Sequence, residues 1–120
     1  MNTRHSEIIY LACPYTHAES EVMEERYKSA TSAAAKLIEK GHVVFSPITM
    51  THPIDKILAK DKVSLGSKYW IDFDELFMSV CSKMIVLMVE GWKESEGIQR
   101  EIEYFQARGR EVTYLHPAEI

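Results

Sequence analysis

Short, uninterrupted apolar runs constrain the fold of this chain more than any other feature of the sequence. Residues 83–89 read KMIVLMV, and residues 8–13 read IIYLAC before Pro14 interrupts the run. Neither run shows the alternation of apolar and polar residues that is typical of a strand with one face in water. Both therefore predict strands buried on both faces, as in parallel sheets that are covered by helices.

Three segments have the residue spacing of amphipathic helices. Their apolar residues recur at intervals of three and four positions, which places them on one helical face; the segments are 19–40, 69–80 and 95–108. Two further short apolar segments, 42–46 and 112–115, are typical of strands. Strands and helices therefore alternate along most of the chain.

Residues 47–68 interrupt this alternation. The segment is polar and rich in turn residues, so the sequence predicts a long binding loop with one helical turn near Ile57. The complete order of elements predicts an α/β fold with a single domain over 1–120, a doubly wound parallel sheet of the flavodoxin-like type. Such sheets bind ligands beyond the carboxyl ends of their strands, where the strand order reverses.

Charge and composition narrow the possible partners. The formal net charge is −4 and the fourteen Lys and Arg residues are scattered, which argues against a nucleic-acid surface. Residues 1–7 contain no apolar run for a signal peptide, and no segment approaches the roughly 18 apolar residues of a membrane span. We therefore expect a cytoplasmic protein without nucleic-acid or membrane partners.

Metal and cofactor sites are not predicted. The five histidines are dispersed, and Cys13 and Cys81 lie inside apolar runs without metal-ligand spacing. The glycine-rich phosphate motifs GxGxxG and GxxxxGK[ST] do not occur, which disfavours a dinucleotide oxidoreductase and a P-loop ATPase.

Polar residues with possible chemistry lie at the start of the last predicted helix. Ser95 occupies the N-cap position, where backbone N–H groups and the helix dipole can bind a hydroxyl or a phosphate, although a plain capping role is the simpler interpretation. Glu101 lies at the border of the apolar face, and Gly97 leaves space one turn before it. From spacing alone, a half-buried ion pair accounts for Glu101 better than catalysis does.

The preceding predicted helix carries Asp72 and Asp74 among aromatic residues that include Trp70. Cleavage of an N-glycosidic bond requires charge stabilisation on the sugar and a proton for the departing base, so two carboxyl groups in different environments suit it. Surface acids on an amphipathic helix explain either aspartate equally well.

Three stretches of the chain resemble the nucleoside 2-deoxyribosyltransferase superfamily, in particular its DUF1937 branch of small bacterial and phage proteins. The stretches are IYLACPYT, SPITMTHP and the segment from Trp70 through DELFMSVCSKMIVLMVEGW to SEGIQREIEYFQARG. This resemblance covers nearly the whole chain. It implies that Glu101 is the nucleophile and that Asp74 contacts and helps to protonate the base.

The same resemblance implies a set of substrate-binding residues. Its tyrosine near the end of the first strand matches Tyr10, with Tyr15 as the alternative, and the matching stretches and the last helix add His52, Trp70, Ser95 and Gly97. Ser82 stands where the family has an aspartate, a departure outside the expected pocket.

Ser95 also bears on the substrate. At its position the transferases that resemble this chain carry an aspartate that binds sugar hydroxyls, whereas related deoxynucleotide N-hydrolases carry a serine that binds the 5′-phosphate. The resemblance therefore implies a nucleoside 5′-monophosphate or a nucleoside, cleaved by hydrolysis or base exchange through a covalent glycosyl-Glu101 intermediate. The family assembles its sites between subunits, which implies a homo-oligomer.

Two alternatives remain open from the sequence. A nucleotide-binding module or sensor without turnover is compatible with Ser82 and with a branch that has no assigned activity. An NAD-cleaving glycosidase of another α/β family accounts for Glu101 but not for the segment DELFMSVCSKMIVL.

Overall fold

The computed structural model describes residues 7–119. Residues 1–6, which include His5 and most of the segment used to exclude a signal peptide, lie outside the described residues. Within this range, four strands and four helices follow one another, and one 3₁₀ turn, Pro117–Glu119, comes after them. Their bounds are β1 (Ile8–Ala12), α1 (Ser20–Glu39), β2 (Val43–Phe45), α2 (Pro47–Lys60), α3 (Gly66–Val80), β3 (Lys83–Leu87), α4 (Glu96–Ala107) and β4 (Glu111–Leu115).

The four strands form one parallel sheet in the order β2-β1-β3-β4. In the middle of this sheet, Tyr10 of β1 pairs with Phe45 of β2 on one side and with Met84 of β3 on the other. The chain leaves β1 toward one edge and leaves β3 toward the opposite edge, so the strand order reverses between β1 and β3. The predicted doubly wound, flavodoxin-like sheet is therefore confirmed, with the two most apolar strands, β1 and β3, at its centre.

Each face of the sheet packs against its own helices. On one face, Tyr10 and Met84 contact the buried side of α4 together with Met78 of α3. On the other face, Leu11 and Leu87 contact α2 and a row of alanines on α1. Successive side chains of a strand point to opposite faces, so wholly apolar strands are required to build both layers.

The prediction of an irregular loop over 47–68 is wrong, because Pro47–Lys60 form α2 and Gly66 begins α3. Pro47 is the first residue of α2. Proline is tolerated there because the N–H groups of the first helical turn have no hydrogen-bond acceptor within the helix. Helix propensities do not predict α2, because Pro53 lies inside it and the nearby threonines have low helix propensity. Ile48 is buried against α1, and such tertiary packing stabilises a helix that local propensity disfavours.

The remaining predicted helices and strands are present, and they end within three residues of their predicted limits. No helix in the described part of the chain is long and apolar enough to cross a membrane.

Candidate functional site

A cleft of about 1370 Å³ opens beyond the carboxyl ends of β1 and β3. This is the place where the strand order reverses, the position at which doubly wound sheets bind ligands. Its walls come from the segments that follow β1 and β3, from the amino-terminal turns of α4, and from one side each of α1, α2 and α3. The side chains on these walls that can take part in chemistry include Tyr15, Asp55, Trp70, Asp74, Ser95 and Glu101.

Glu101 projects into this cleft from α4. The burial of Ile98 and Ile102 against the sheet turns the border of the helix, where Glu101 lies, toward the opening. The hydroxyl of Tyr10, which is 0% exposed, donates a hydrogen bond of 2.7 Å to Glu101 Oε2. The ion pair favoured by spacing is not formed among the described residues.

Burial raises the pKa of Glu101 to about 7. The Tyr10 hydrogen bond acts in the opposite direction because it stabilises the ionised form, the charge of Asp74 raises the pKa further, and the Arg100 guanidinium lowers it. Glu101 can therefore change its protonation state near neutral pH.

Asp74 of α3 is the second carboxyl group on the cleft. Its Oδ1 is buried and has no hydrogen-bond partner within the described residues. Burial raises the pKa of Asp74 to about 6, with Arg100 opposing the shift. A buried carboxyl oxygen without a partner is costly, so a proton on the acid or an N–H of a ligand would stabilise it. The other predicted candidate, Asp72, is exposed and forms an ion pair with Lys68 at 2.7 Å.

Ser95 caps α4, as its position in the sequence predicts. Its Oγ accepts a hydrogen bond of 3.2 Å from the backbone N–H of Ile98, which leaves its O–H available to donate. A Cβ on Gly97 would lie 3.6 Å from Arg100 Nη2 and 3.8 Å from Ser95 Oγ, which is ordinary contact. Packing within the protein therefore does not require glycine at 97, and a side chain there would occupy the cleft.

Tyr15 and His52 are linked by a hydrogen bond. Tyr15 lines the cleft, and its hydroxyl lies 2.7 Å from His52 Nδ1. His52 is only 5% exposed, stacks on Tyr27 and places its Nε2 2.9 Å from Oε1 of Glu24. His52 therefore does not line the cleft but contacts Tyr15, which does. Tyr10 contacts Glu101 in the same way.

Two residues of this region were not predicted. Glu24 lies in an acidic stretch of α1 in which no local pattern distinguishes it. Arg26 donates to the carbonyls of Thr16 and Glu90 at 3.2 and 3.1 Å, so it links the segments that follow β1 and β3. The sequence feature that could have identified Arg26 is its position on the apolar face of its helix, where a charged residue is unusual.

Trp70 lines the cleft and packs against Tyr69 and Phe73, at ring-centroid distances of 5.2 and 5.4 Å. Ser82 lies outside the cleft, since its Oγ accepts a hydrogen bond from the backbone N–H of Ile8 at the opposite end of β1.

Cys13 also lines the cleft, where burial raises the pKa of its thiol to about 12 and so disfavours the reactive thiolate.

A metal site is not apparent from residue grouping: across residues 7–119, no three or more His, Cys, Asp or Glu side chains are arranged to hold an ion.

Comparison with known families gives one match. The profile of the family described as "Domain of unknown function (DUF1937)" matches residues 7–116. A search of curated proteins finds no match for this chain. The matched residues include all four strands and every cleft residue described above. This protein therefore belongs to the DUF1937 family.

Proposed function

We propose that this protein cleaves the N-glycosidic bond of a nucleoside 5′-monophosphate or a nucleoside, with Glu101 as the nucleophile. The proposal is carried by the placement of two carboxyl groups with raised pKa values, Glu101 and Asp74, on one cleft at the switch point of the sheet. Two carboxyl groups with separate roles are what glycosidic bond cleavage requires. The likeness of the sequence to the nucleoside 2-deoxyribosyltransferase superfamily supplies the type of substrate.

In the first step, the Glu101 carboxylate attacks the anomeric carbon and forms an ester bond to the sugar. The bond between the anomeric carbon and the base breaks, its electron pair goes to the base nitrogen, and Asp74 delivers a proton to the base. The hydrogen bond from Tyr10 to Oε2 fixes the orientation of the Glu101 carboxylate, because its donor is held in the core.

In the second step, water or another base attacks the anomeric carbon and Glu101 leaves as a carboxylate. Asp74, now ionised, accepts the proton of the attacking group. Two successive displacements return the original configuration at the anomeric carbon. A cytoplasmic location, where nucleotides are abundant, belongs to the same proposal.

The amino terminus of α4 is the proposed site for the 5′ end of the substrate. The Ser95 O–H and the positive end of the helix dipole favour a phosphate. The negative charges of Glu94 and Glu96, which flank Ser95, disfavour a phosphate there, while Arg26 and Arg100 supply positive charge to the cleft wall. The balance of these charges decides between a nucleotide and a nucleoside.

Incubation with a panel of deoxynucleoside and ribonucleoside monophosphates and nucleosides, followed by chromatography of free base, tests the proposal. We expect base release from at least one compound and a loss of at least about a thousandfold in Glu101→Ala, since a covalent nucleophile is removed. Glu103→Ala is the matched control, because Glu103 is exposed on the same helix. Equal base release by Glu101→Ala and the unchanged protein would contradict the mechanism.

A nucleotide-binding sensor without turnover is the second candidate. The observation that favours it is that the pKa of Glu101, about 7, is higher than that of Asp74, about 6, so the proposed nucleophile keeps its proton to a higher pH than the proposed acid. Binding of a nucleotide without base release from any member of the panel would support this candidate.

A further inference from the structure

A chain of hydrogen bonds runs from the surface of α1 to the cleft. It links Glu24 Oε1, the two ring nitrogens of His52 and the hydroxyl of Tyr15, with separations of 2.9 and 2.7 Å. Tyr27 stacks on the His52 ring at 4.4 Å, and the Tyr15 ring meets the same imidazole edge-on. The imidazole is therefore held in one orientation.

The direction of these hydrogen bonds follows from the acid at the end of the chain. The bond to His52 lowers the pKa of Glu24, and Lys56 adds to the effect, so Glu24 is a carboxylate that can only accept. His52 must therefore carry its hydrogen on Nε2. In a neutral imidazole, Nδ1 then has no hydrogen, and Tyr15 must donate its own to it.

Tyr15 consequently offers an acceptor to the cleft. Burial, together with the charges of Asp55 and Glu24, raises the pKa of Tyr15 to about 12, so the hydroxyl keeps its hydrogen. That hydrogen is committed to His52, which leaves an oxygen lone pair for a ligand.

Asp55 extends this acceptor surface. It lines the same cleft from α2, close enough for its charge to act on Tyr15. Asp55 forms no hydrogen bond or ion pair with other residues of the described range. Tyr15 and Asp55 follow β1 and β2, whereas Glu101 and Asp74 belong to α4 and α3, so the acceptors lie on a different wall from the reacting carboxyl groups.

We infer that Tyr15 and Asp55 select a nucleobase whose edge presents N–H donors, that is, an amino-substituted base such as guanine or cytosine. This inference rests on the proposed function, in which the ligand is a nucleoside or nucleotide. A carboxylate accepts from an exocyclic amino group, and in guanine also from the adjacent ring N–H, whereas an oxo group in the place of the amino group meets two acceptors and is repelled. His52 and Glu24 are positioning residues for Tyr15.

Equilibrium binding to the Glu101→Gln protein tests the inference without turnover. Titration calorimetry would compare dGMP with dIMP, which lacks only the 2-amino group, and dCMP with dUMP. We expect the amino-bearing member of at least one pair to bind at least about tenfold more tightly, as for a hydrogen bond to a charged acceptor. Asp55→Asn and Tyr15→Phe, each added to Glu101→Gln, should reduce that preference, while Asp61→Asn at the exposed end of α2 should not.

Two substitutions of His52 separate positioning from packing. In His52→Gln the amide oxygen can accept from Tyr15 while the amide nitrogen donates to Glu24, so the preference should persist. His52→Phe fills the space without hydrogen bonds, so the preference should fall. If His52→Phe does not fold, as judged by circular dichroism, the substitutions of Asp55 and Tyr15 still decide the outcome.

Equal affinity within both pairs would overturn the inference, and so would a preference that survives both Asp55→Asn and Tyr15→Phe. Failure of all four nucleotides to bind would also overturn it. Base release by the unsubstituted protein is measured separately, so the proposed function can stand when the inference fails. A clear preference without base release would retain the inference and favour the sensor.

Discussion

Tyr10 and Glu101 show how one contact defines the reactive group of the site. The Tyr10 hydroxyl selects one oxygen of Glu101 at 2.7 Å, and burial prevents the tyrosine from choosing another partner. The same burial raises the pKa of the carboxyl group to about 7. The orientation of Glu101 is thus set by a group outside α4, whereas its protonation is set by burial together with Tyr10, Asp74 and Arg100 of α4.

The pH dependence of base release is expected to be bell-shaped, with its maximum between about pH 6 and about pH 7. These limits are the raised pKa values of Asp74 and Glu101. Below them both carboxyl groups are protonated and no nucleophile is present; above them both are ionised and no acid is present. Between them the reactive form, with Glu101 ionised and Asp74 protonated, is the minor singly protonated form, because the pKa of Glu101 is the higher of the two. The measurement is kcat/KM against pH, and a profile that is flat from pH 5 to pH 8 would contradict the assignment.

The two aspartates of α3 illustrate a limit of sequence reasoning at this scale. Asp72 and Asp74 are equivalent by composition and nearly adjacent. Only the packing of α3 shows that Asp74 enters the cleft while Asp72 pairs with Lys68 at the surface. The family resemblance, rather than residue spacing, favoured Asp74 in advance.

Helix α4 presents its amino terminus to the cleft through Ser95, and its cap can be separated from phosphate binding by substitution. Ser95→Ala should lose about 1 kcal/mol of stability, because the N–H of Ile98 loses its acceptor. Ser95→Asp should keep the cap, since a carboxylate accepts the same hydrogen bond, but its charge should repel a phosphate.

We therefore expect Ser95→Asp to lower kcat/KM for a monophosphate while leaving that for the matching nucleoside unchanged or higher. Steady-state kinetics with both compounds, together with thermal unfolding, checks this expectation. An equal loss for both compounds would limit Ser95 to its capping role.

The segments after β1 and β3 are held together by Arg26, and Gly91 makes this possible. Gly91 has φ +91°, and a Cβ there would lie 2.5 Å from Arg26 Nη2. Gly91→Ala should therefore lower the free energy of unfolding both by backbone strain and by displacing Arg26, about 2 kcal/mol in total.

Gly66→Ala is the matched control for this substitution. Gly66 has φ +84°, but a Cβ there would meet nothing within 4 Å, so backbone strain is the only cost of that substitution. Urea unfolding should therefore show a larger loss for Gly91→Ala than for Gly66→Ala. Equal losses would argue against a stabilising role for the Arg26 contacts.

At the scale of the whole molecule, α3 carries an apolar surface that the described chain leaves uncovered. Tyr69, Leu76 and Val80 share one side of the helix and are 47%, 74% and 64% exposed. Exposed apolar stripes of this kind commonly mark contacts between proteins. The homo-oligomer implied by the family resemblance stays a prediction, and this surface is its expected interface.

Leu76→Lys should shift the protein toward a smaller assembly, because a charge is placed in the expected interface. The measurement is light scattering coupled to size-exclusion chromatography over a range of concentrations. Glu75→Lys is the control, since Glu75 is exposed on the same helix but outside the stripe. A monomeric mass for the unsubstituted protein would exclude this role for α3.

The sequence by itself determined the type of sheet and the cap of α4. A run such as KMIVLMV must be buried on both faces, and a serine before a helix is a good cap, so both conclusions follow from local chemistry. The helix over 47–60 is not predicted from the sequence, because contacts with α1 stabilise it despite the proline inside it, and local sequence does not reveal those contacts.

Tertiary structure decided the contents of the cleft. The hydrogen bond from Tyr10 to Glu101 joins residues 91 positions apart, and the chain from Glu24 through His52 to Tyr15 joins three separate segments. Local spacing carries no information about such contacts, because they depend on how helices and strands pack after they form. The pKa values of the acids follow from the same packing, since burial is their largest cause.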